Sequence, residues 1–161
     1  MVALVLLIGA AIWAWTYFFP SPEKAIRKRL DEVAATASFP ANEGDVAKLQ
    51  NVQKLASFCT PDIQVSIDAY GQHVNLSGRE ELFQTALYAR TQGLFGSVQL
   101  QFVDPVVTFA PNKETAFVEV TVKGSISKEK EMMVQECKFT FKKNGRSWLI
   151  RKVETVKTLS L

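Results

Sequence analysis

Residues 132–157 read MMVQECKFTFKKNGRSWLIRKVETVK. Two arms, Met132 to Lys142 and Ser147 to Lys157, are rich in aromatic and β-branched residues and face each other across Lys143-Asn144-Gly145-Arg146. Asn-Gly between two such runs predicts a β-hairpin. Upstream, Glu114 to Ile126 alternates with Ala116, Val118, Val120 and Val122 on one face, the period of a strand buried on one side. Val98 to Ala110 is a further strand-like run, and Asp104-Pro105 within it predicts a bend or bulge. Together these runs make a four-strand meander.

The period before the meander is different. Ser21-Pro22 suits an N-cap and first helical position, and Ile26, Leu30, Val33, Ala34 and Ala37 follow as one apolar stripe. Phe39-Pro40 ends that helix. A second helix is expected from Gly44-Asp45, burying Val46, Leu49, Val52 and Ala56 and stopped by Thr60-Pro61-Asp62. Ile63, Val65 and Ile67 then alternate with Gln64, Ser66 and Asp68, a half-buried strand. Gly71 turns the chain, and His73-Val74-Asn75-Leu76 returns as a short partner. Ser77-Gly78-Arg79-Glu80 reads as a capping box opening a third helix to about Gly93, with Leu82, Phe83, Ala86, Leu87 and the stem of Arg90 on its stripe. Helices packed on one side of a mostly antiparallel sheet of about six strands make an α+β domain.

The 161 residues, 47% hydrophobic and 22% charged, suffice for one globular domain. A formal charge of +3 with no basic stripe and no readout motif argues against a nucleic-acid partner. Cys59 and Cys137 lack CxxC spacing, and His73 is the single histidine, so neither a metal site nor a cofactor is expected. The two cysteines suit buried thiols better than a disulfide, which stays open in an oxidising compartment.

Residues 2–19, VALVLLIGAAIWAWTYFF, carry no charge. A helix of that length reaches about 27 Å, which predicts a single-pass transmembrane anchor over residues 1–20 ahead of a domain at 21–161. Trp13, Trp15 and Tyr17 suit a headgroup boundary, and the bulky residues after Ala14 make a poor signal-peptide cleavage site. Lys24, Arg27, Lys28 and Arg29 after the span bias the domain toward the cytoplasmic side.

The order of elements after Pro22 resembles the nuclear transport factor 2-like superfamily. The resemblance is carried by Gly44-Asp45, by Asp62 to Gly71 (DIQVSIDAYG), by Leu76-Ser-Gly-Arg-Glu80 and by Phe139 to Trp148 (FTFKKNGRSW). It implies a sheet curled around the helices into a cone with an interior pocket. The superfamily includes ketosteroid isomerases, polyketide cyclases and dehydratases, and also transport and assembly factors without chemistry, so the fold leaves function open. By resemblance to the isomerases, Asp68 falls where those enzymes hold a carboxylate base. Tyr70 and His73 flank the same turn, and Tyr88 and Cys137 are candidate pocket residues, Cys137 falling where the isomerases carry a protonated aspartate. The tyrosine that the isomerases take from their first helix has no counterpart here. The expectation is therefore a membrane-tethered, non-catalytic interaction or assembly module, with a small-molecule binder or a lyase or isomerase using Asp68 as the alternative. Phe117 shares a face with Glu119 and Thr121; if that face is the outer one, an apolar patch there favours a homodimer or a membrane-complex contact through the sheet, the alternative being that every aromatic of the meander fills the cone.

Overall fold

The computed structural model describes residues 2–18, 21–69, 71–127 and 132–156. Four helices precede or interrupt the strands: α1 (Val2–Phe18), α2 (Pro22–Ala37), α3 (Asp45–Ser57) and α4 (Arg79–Thr91). The strands are β1 (Cys59–Ala69), β2 (Gln72–Ser77), β3 (Val98–Phe109), β4 (Thr115–Ile126), β5 (Met133–Asn144) and β6 (Ser147–Thr155). They form one six-stranded sheet in the order β2-β1-β6-β5-β4-β3. All pairings are antiparallel except β1 with β6, which lie parallel: α4 carries the chain from β2 to the far edge at β3, and the antiparallel meander then brings β6 back beside β1.

The hairpin forms as its sequence predicts. Asn144 pairs with Ser147, and Gly145 takes φ 61°, a left-handed conformation that glycine enters without steric cost. The break in β3 also falls where Asp104-Pro105 predicts it. The register shifts between Val103 and Val106, and Asp104 sits at φ 53°. Downstream of that bulge Val107 and Phe109 regain the inner face, opposite Val118 and Ala116.

The core lies between this sheet and α2. Ile26, Leu30 and Val33 of α2 meet the inner rows Ala116, Val118, Val120 and Val122 of β4 and Cys137, Phe139 and Phe141 of β5. Ile26 and Leu30 are at most 1% exposed, so truncating either to alanine removes about 2–5 kcal/mol of stability. Phe102, Phe109, Phe139, Phe141 and Trp148 all point inward and meet in tilted, edge or stacked pairs. Helix α2 starts on Ser21, whose Oγ accepts from the Lys24 amide, with Pro22 at the first helical position.

Several sequence expectations are corrected. β1 begins at Cys59, so Thr60-Pro61-Asp62 lies inside the strand at an irregular register rather than before it. Val46 and Leu49 are 70% and 42% exposed, because only the C-terminal half of α3, with Val52 and Ala56, meets the core. The turn before α4 is closed by the Glu81 carboxylate on the Ser77 amide, not by Glu80, and the N-cap is Gly78 at φ 93°.

The expected bilayer crossing through residues 2–19 is overturned. No helix among the described residues is long and apolar enough to cross a membrane. α1 has 17 residues, about 26 Å of helix, against a hydrocarbon core of about 30 Å. The single-pass localisation and its cytoplasmic bias fall with it. Among the described side chains of α1, Leu6, Leu7 and Ile12 are 68%, 69% and 61% exposed.

Candidate functional site

A cavity of about 280 Å³ opens between the C-terminal half of α4 and the ends of β3, β4 and β5. It exists because small residues converge there. Ala37 of α2, Ala86 and Ala89 of α4 and Gly124 of β4 leave a hollow that larger side chains would fill. Gly124 ends the inner row of β4 valines, and a Cβ there would meet Leu100 Cδ2 at 3.1 Å and Met133 Cε at 3.3 Å. Phe39, Leu55, Phe95, Val98, Leu100 and Ile126 supply most of the remaining wall. An apolar hollow with few polar groups is the usual form of a small-molecule site.

Among the described residues that line the cavity, Arg90 is the one with a charge. It is buried, and its guanidinium is occupied on several sides. Nη1 donates to Glu43 Oε1 at 2.8 Å and to Oε2 at 3.0 Å, and Nη2 donates to the Thr36 carbonyl. Its Cζ lies 4.6 Å from the centre of the Phe39 ring, a cation–π distance. Asn51 Nδ2 donates to Glu43 Oε1 at 2.7 Å and fixes the carboxylate from the other side. The Arg90 and Glu43 side chains are 3% and 5% exposed. A buried pair holds only when such extra hydrogen bonds satisfy it.

These bonds also stitch the rim. Phe39 exchanges two backbone hydrogen bonds with Val98, at 2.8 and 2.9 Å. Ser38 Oγ accepts from the Leu100 amide at 2.9 Å. The α2–α3 connection is thereby sewn to β3 on one side and to α4, through Arg90, on the other.

The residues singled out in the sequence lie elsewhere. Asp68 pairs with His73 across the β1–β2 hairpin, and the carboxylate Oδ1 is hydrogen-bonded to Nδ1 of the ring. Both are roughly half exposed, and neither lines the cavity. The register explains the separation. Val65 pairs with Leu76 and Val153 on the inner face, whereas Ser66 pairs with Asn75 and Glu154 on the outer one. Asp68 is two residues beyond Ser66 and therefore shares the outer face. Its amide donates to Thr155 Oγ1 at 3.0 Å. Tyr70 lies outside the described residues. Tyr88 is 60% exposed on α4 and does not line the cavity. Cys137 faces the core between Val120 and Thr155 rather than the cavity.

Cys59 and Cys137 are free thiols, 4% and 5% exposed. Burial pushes both up to about 11; Arg79 opposes the shift at Cys59, and Glu136 adds to it at Cys137. Protonated at neutral pH, they are poor nucleophiles. Among the described residues no group of three or more His, Cys, Asp or Glu side chains is arranged to hold a metal ion.

No family model matches the sequence, and no curated protein matches it. Solved structures do match. A scytalone dehydratase-like protein from Novosphingobium aromaticivorans superposes with a TM-score of 0.62 at 16% identity, covering 85% of this chain and 84% of its own. A domain of unknown function with a cystatin-like fold from Nostoc punctiforme gives 0.64 at 15% identity, covering 88% and 80%. An NTF2-like protein from Pseudomonas putida gives 0.63 at 9% identity, covering 86% and 88%. At these identities the likeness speaks to the fold alone. The chain has the cystatin-like α+β fold of nuclear transport factor 2-like proteins.

Proposed function

We propose that this chain is a non-catalytic binding module whose cone takes a small apolar molecule between α4 and the ends of β3, β4 and β5. The observation that carries this reading is the cavity of about 280 Å³, walled by apolar side chains, whose charged residue is already held by Glu43 and Thr36. Dehydration or isomerisation needs an acid or base within hydrogen-bond reach of the reacting atoms. Among the described residues, those that line the cavity offer no carboxylate, imidazole, phenol or thiol, and the Asp68–His73 pair belongs to the outer face of the sheet. The likeness to a scytalone dehydratase-like protein therefore brings a scaffold to this chain and no reacting groups.

Titration of the full chain with N-phenylnaphthylamine, a neutral apolar dye, tests the reading. A saturable fluorescence rise is expected in the wild type, weakened at least about tenfold in Ala89→Phe, which places a ring in the hollow. No saturable rise, or one indifferent to Ala89→Phe in a folded variant, defeats it.

A second reading, self-association through the outer face of the sheet, is favoured by Phe117 and Val106. Phe117 lies on the outer face of the sheet, under the Lys138 ammonium at 5.2 Å, and Val106 on the neighbouring strand is 62% exposed. Sedimentation velocity over a concentration range is expected to show a dimer that the Val106→Glu variant dissociates. A monomer at every concentration removes this reading and leaves the cavity reading intact.

A further inference from the structure

We infer that Glu43 sets the ligand class of the cavity: by holding Arg90 it makes the site accept neutral apolar molecules and reject ionised ones. The inference rests on the reading that the cavity is a binding site, and it goes further by naming what enters.

Arg90 alone in an apolar wall would be a receptor for an amphipathic acid, since a guanidinium matches a carboxylate in shape and charge. Here that match is already made from behind. Arg90 lines the cavity and Glu43 does not, so the arginine stands between the hollow and its counter-ion. Both Glu43 oxygens contact Arg90 Nη1, and Asn51 fixes the carboxylate so that it does not swing away. Thr36 takes Nη2 and Phe39 covers the guanidinium face. The pair is neutral as a unit and almost wholly out of water. A guest carboxylate would shed its own hydration and join a cluster that then holds one uncompensated negative charge, and burying such a charge is strongly unfavourable. A guest ammonium meets the mirror problem. A neutral chain meets neither. Glu43 is thus a specificity-determining residue that does not itself touch the guest.

Displacement of N-phenylnaphthylamine from the full chain at neutral pH by three matched guests, octanol, octanoate and octylammonium, tests the inference. In the wild type octanol is expected to compete at least about tenfold better than either ion, a difference of about 1.4 kcal/mol, with the two ions within about threefold of each other. In Glu43→Gln, which keeps the shape and one acceptor but removes the charge, octanoate is expected to gain at least about tenfold while octanol stays within about threefold. Octanoate already ahead of octylammonium by tenfold in the wild type overturns the inference, and so does a folded Glu43→Gln variant with unchanged preferences. If that variant does not fold, the wild-type comparison of the two ions decides alone. Dye that binds, with three guests that compete equally, removes this inference and leaves the binding reading standing; dye that does not bind removes both.

Discussion

Two pairs of opposite chemistry lie at different places in the same sheet-and-helix frame. Arg90 and Glu43 meet under α4, with side chains 3% and 5% exposed. Asp68 and His73 meet across the β1–β2 hairpin, with side chains 44% and 53% exposed. The second pair is the one that looks functional in the sequence, a lone histidine beside a carboxylate near a turn. The first looks like an ordinary helix cation. Burial reverses the ranking. Water screens the hairpin pair and competes for its hydrogen bonds, so it contributes little. The Arg90 pair is almost wholly shielded from bulk solvent, so removing one member leaves a buried charge with no partner, and Arg90 stands in the wall of the hollow. What a charged pair does in this fold follows from which side of the sheet its residues are turned to.

The largest effect is expected on removing one member of the buried pair. Arg90→Met is expected to lower the free energy of unfolding by about 3–5 kcal/mol, read by urea denaturation, because Glu43 is then buried without its cation. Combining Arg90→Met with Glu43→Met is expected to recover most of that loss, since a buried pair replaced by apolar groups of similar volume is often neutral. An Arg90→Met variant as stable as the wild type would mean that the pair is open to water in solution. The contrast with the hairpin would then disappear.

Part of this contrast is legible in the sequence. Ile63, Val65 and Ile67 alternate with Gln64, Ser66 and Asp68, so the strand period alone turns Asp68 away from the core. The resemblance to ketosteroid isomerases points the other way, and the register follows the period. The meander, its hairpin, its bulge at Asp104-Pro105 and the stripe of α2 are also legible, because each rests on local spacing or turn chemistry. Arg90 on an otherwise apolar stripe is a visible signal that an arginine is buried. Its partner is not visible, since Glu43 lies 47 residues away in a connection without a period. The hollow is equally hidden. Ala37, Ala86, Ala89 and Gly124 sit on three different elements, and only their packing makes an absence of side chains into a cavity. The length of α1 is the opposite case. The uncharged run suggests a crossing, but no helix among the described residues is long and apolar enough to cross a membrane.

The buried thiols extend the contrast to single groups and give an intermediate effect. Cys59 and Cys137 are raised to about 11, from 9.0 for an unperturbed thiol, with burial as the main cause. A raised thiol holds its proton in the folded chain after the unfolded chain has lost it. Stability from this source is therefore intact below about pH 9 and falls as pH rises toward 11, by about 1 kcal/mol per thiol at pH 10. Urea unfolding at pH 8 and pH 10 reads the loss, and the Cys59→Ser/Cys137→Ser variant serves as control for other titrating groups. In the native chain both thiols are expected to resist alkylation at pH 8 and to react once denatured. Rapid labelling of Cys137 without denaturant would mean that the inner face of β5 opens to solvent.

The smallest effect belongs to the hairpin, and it is the most informative for function. Asp68→Asn keeps the shape of the side chain and a hydrogen-bonding atom toward His73 while removing the charge. An exposed pair of this kind contributes about 0–1 kcal/mol, so the unfolding free energy is expected to change by less than about 1 kcal/mol. Dye binding in the cavity is expected to stay within about twofold of the wild type, because Asp68 and His73 lie on the opposite face from the hollow and touch none of its lining residues. The two readouts fail for different reasons. A large stability loss would mean that the Asp68–His73 contact is more enclosed than its exposure indicates. A large loss of dye binding at unchanged stability would couple the hairpin to the cavity, bring Asp68 back as a functional carboxylate, and erase the division between the two pairs.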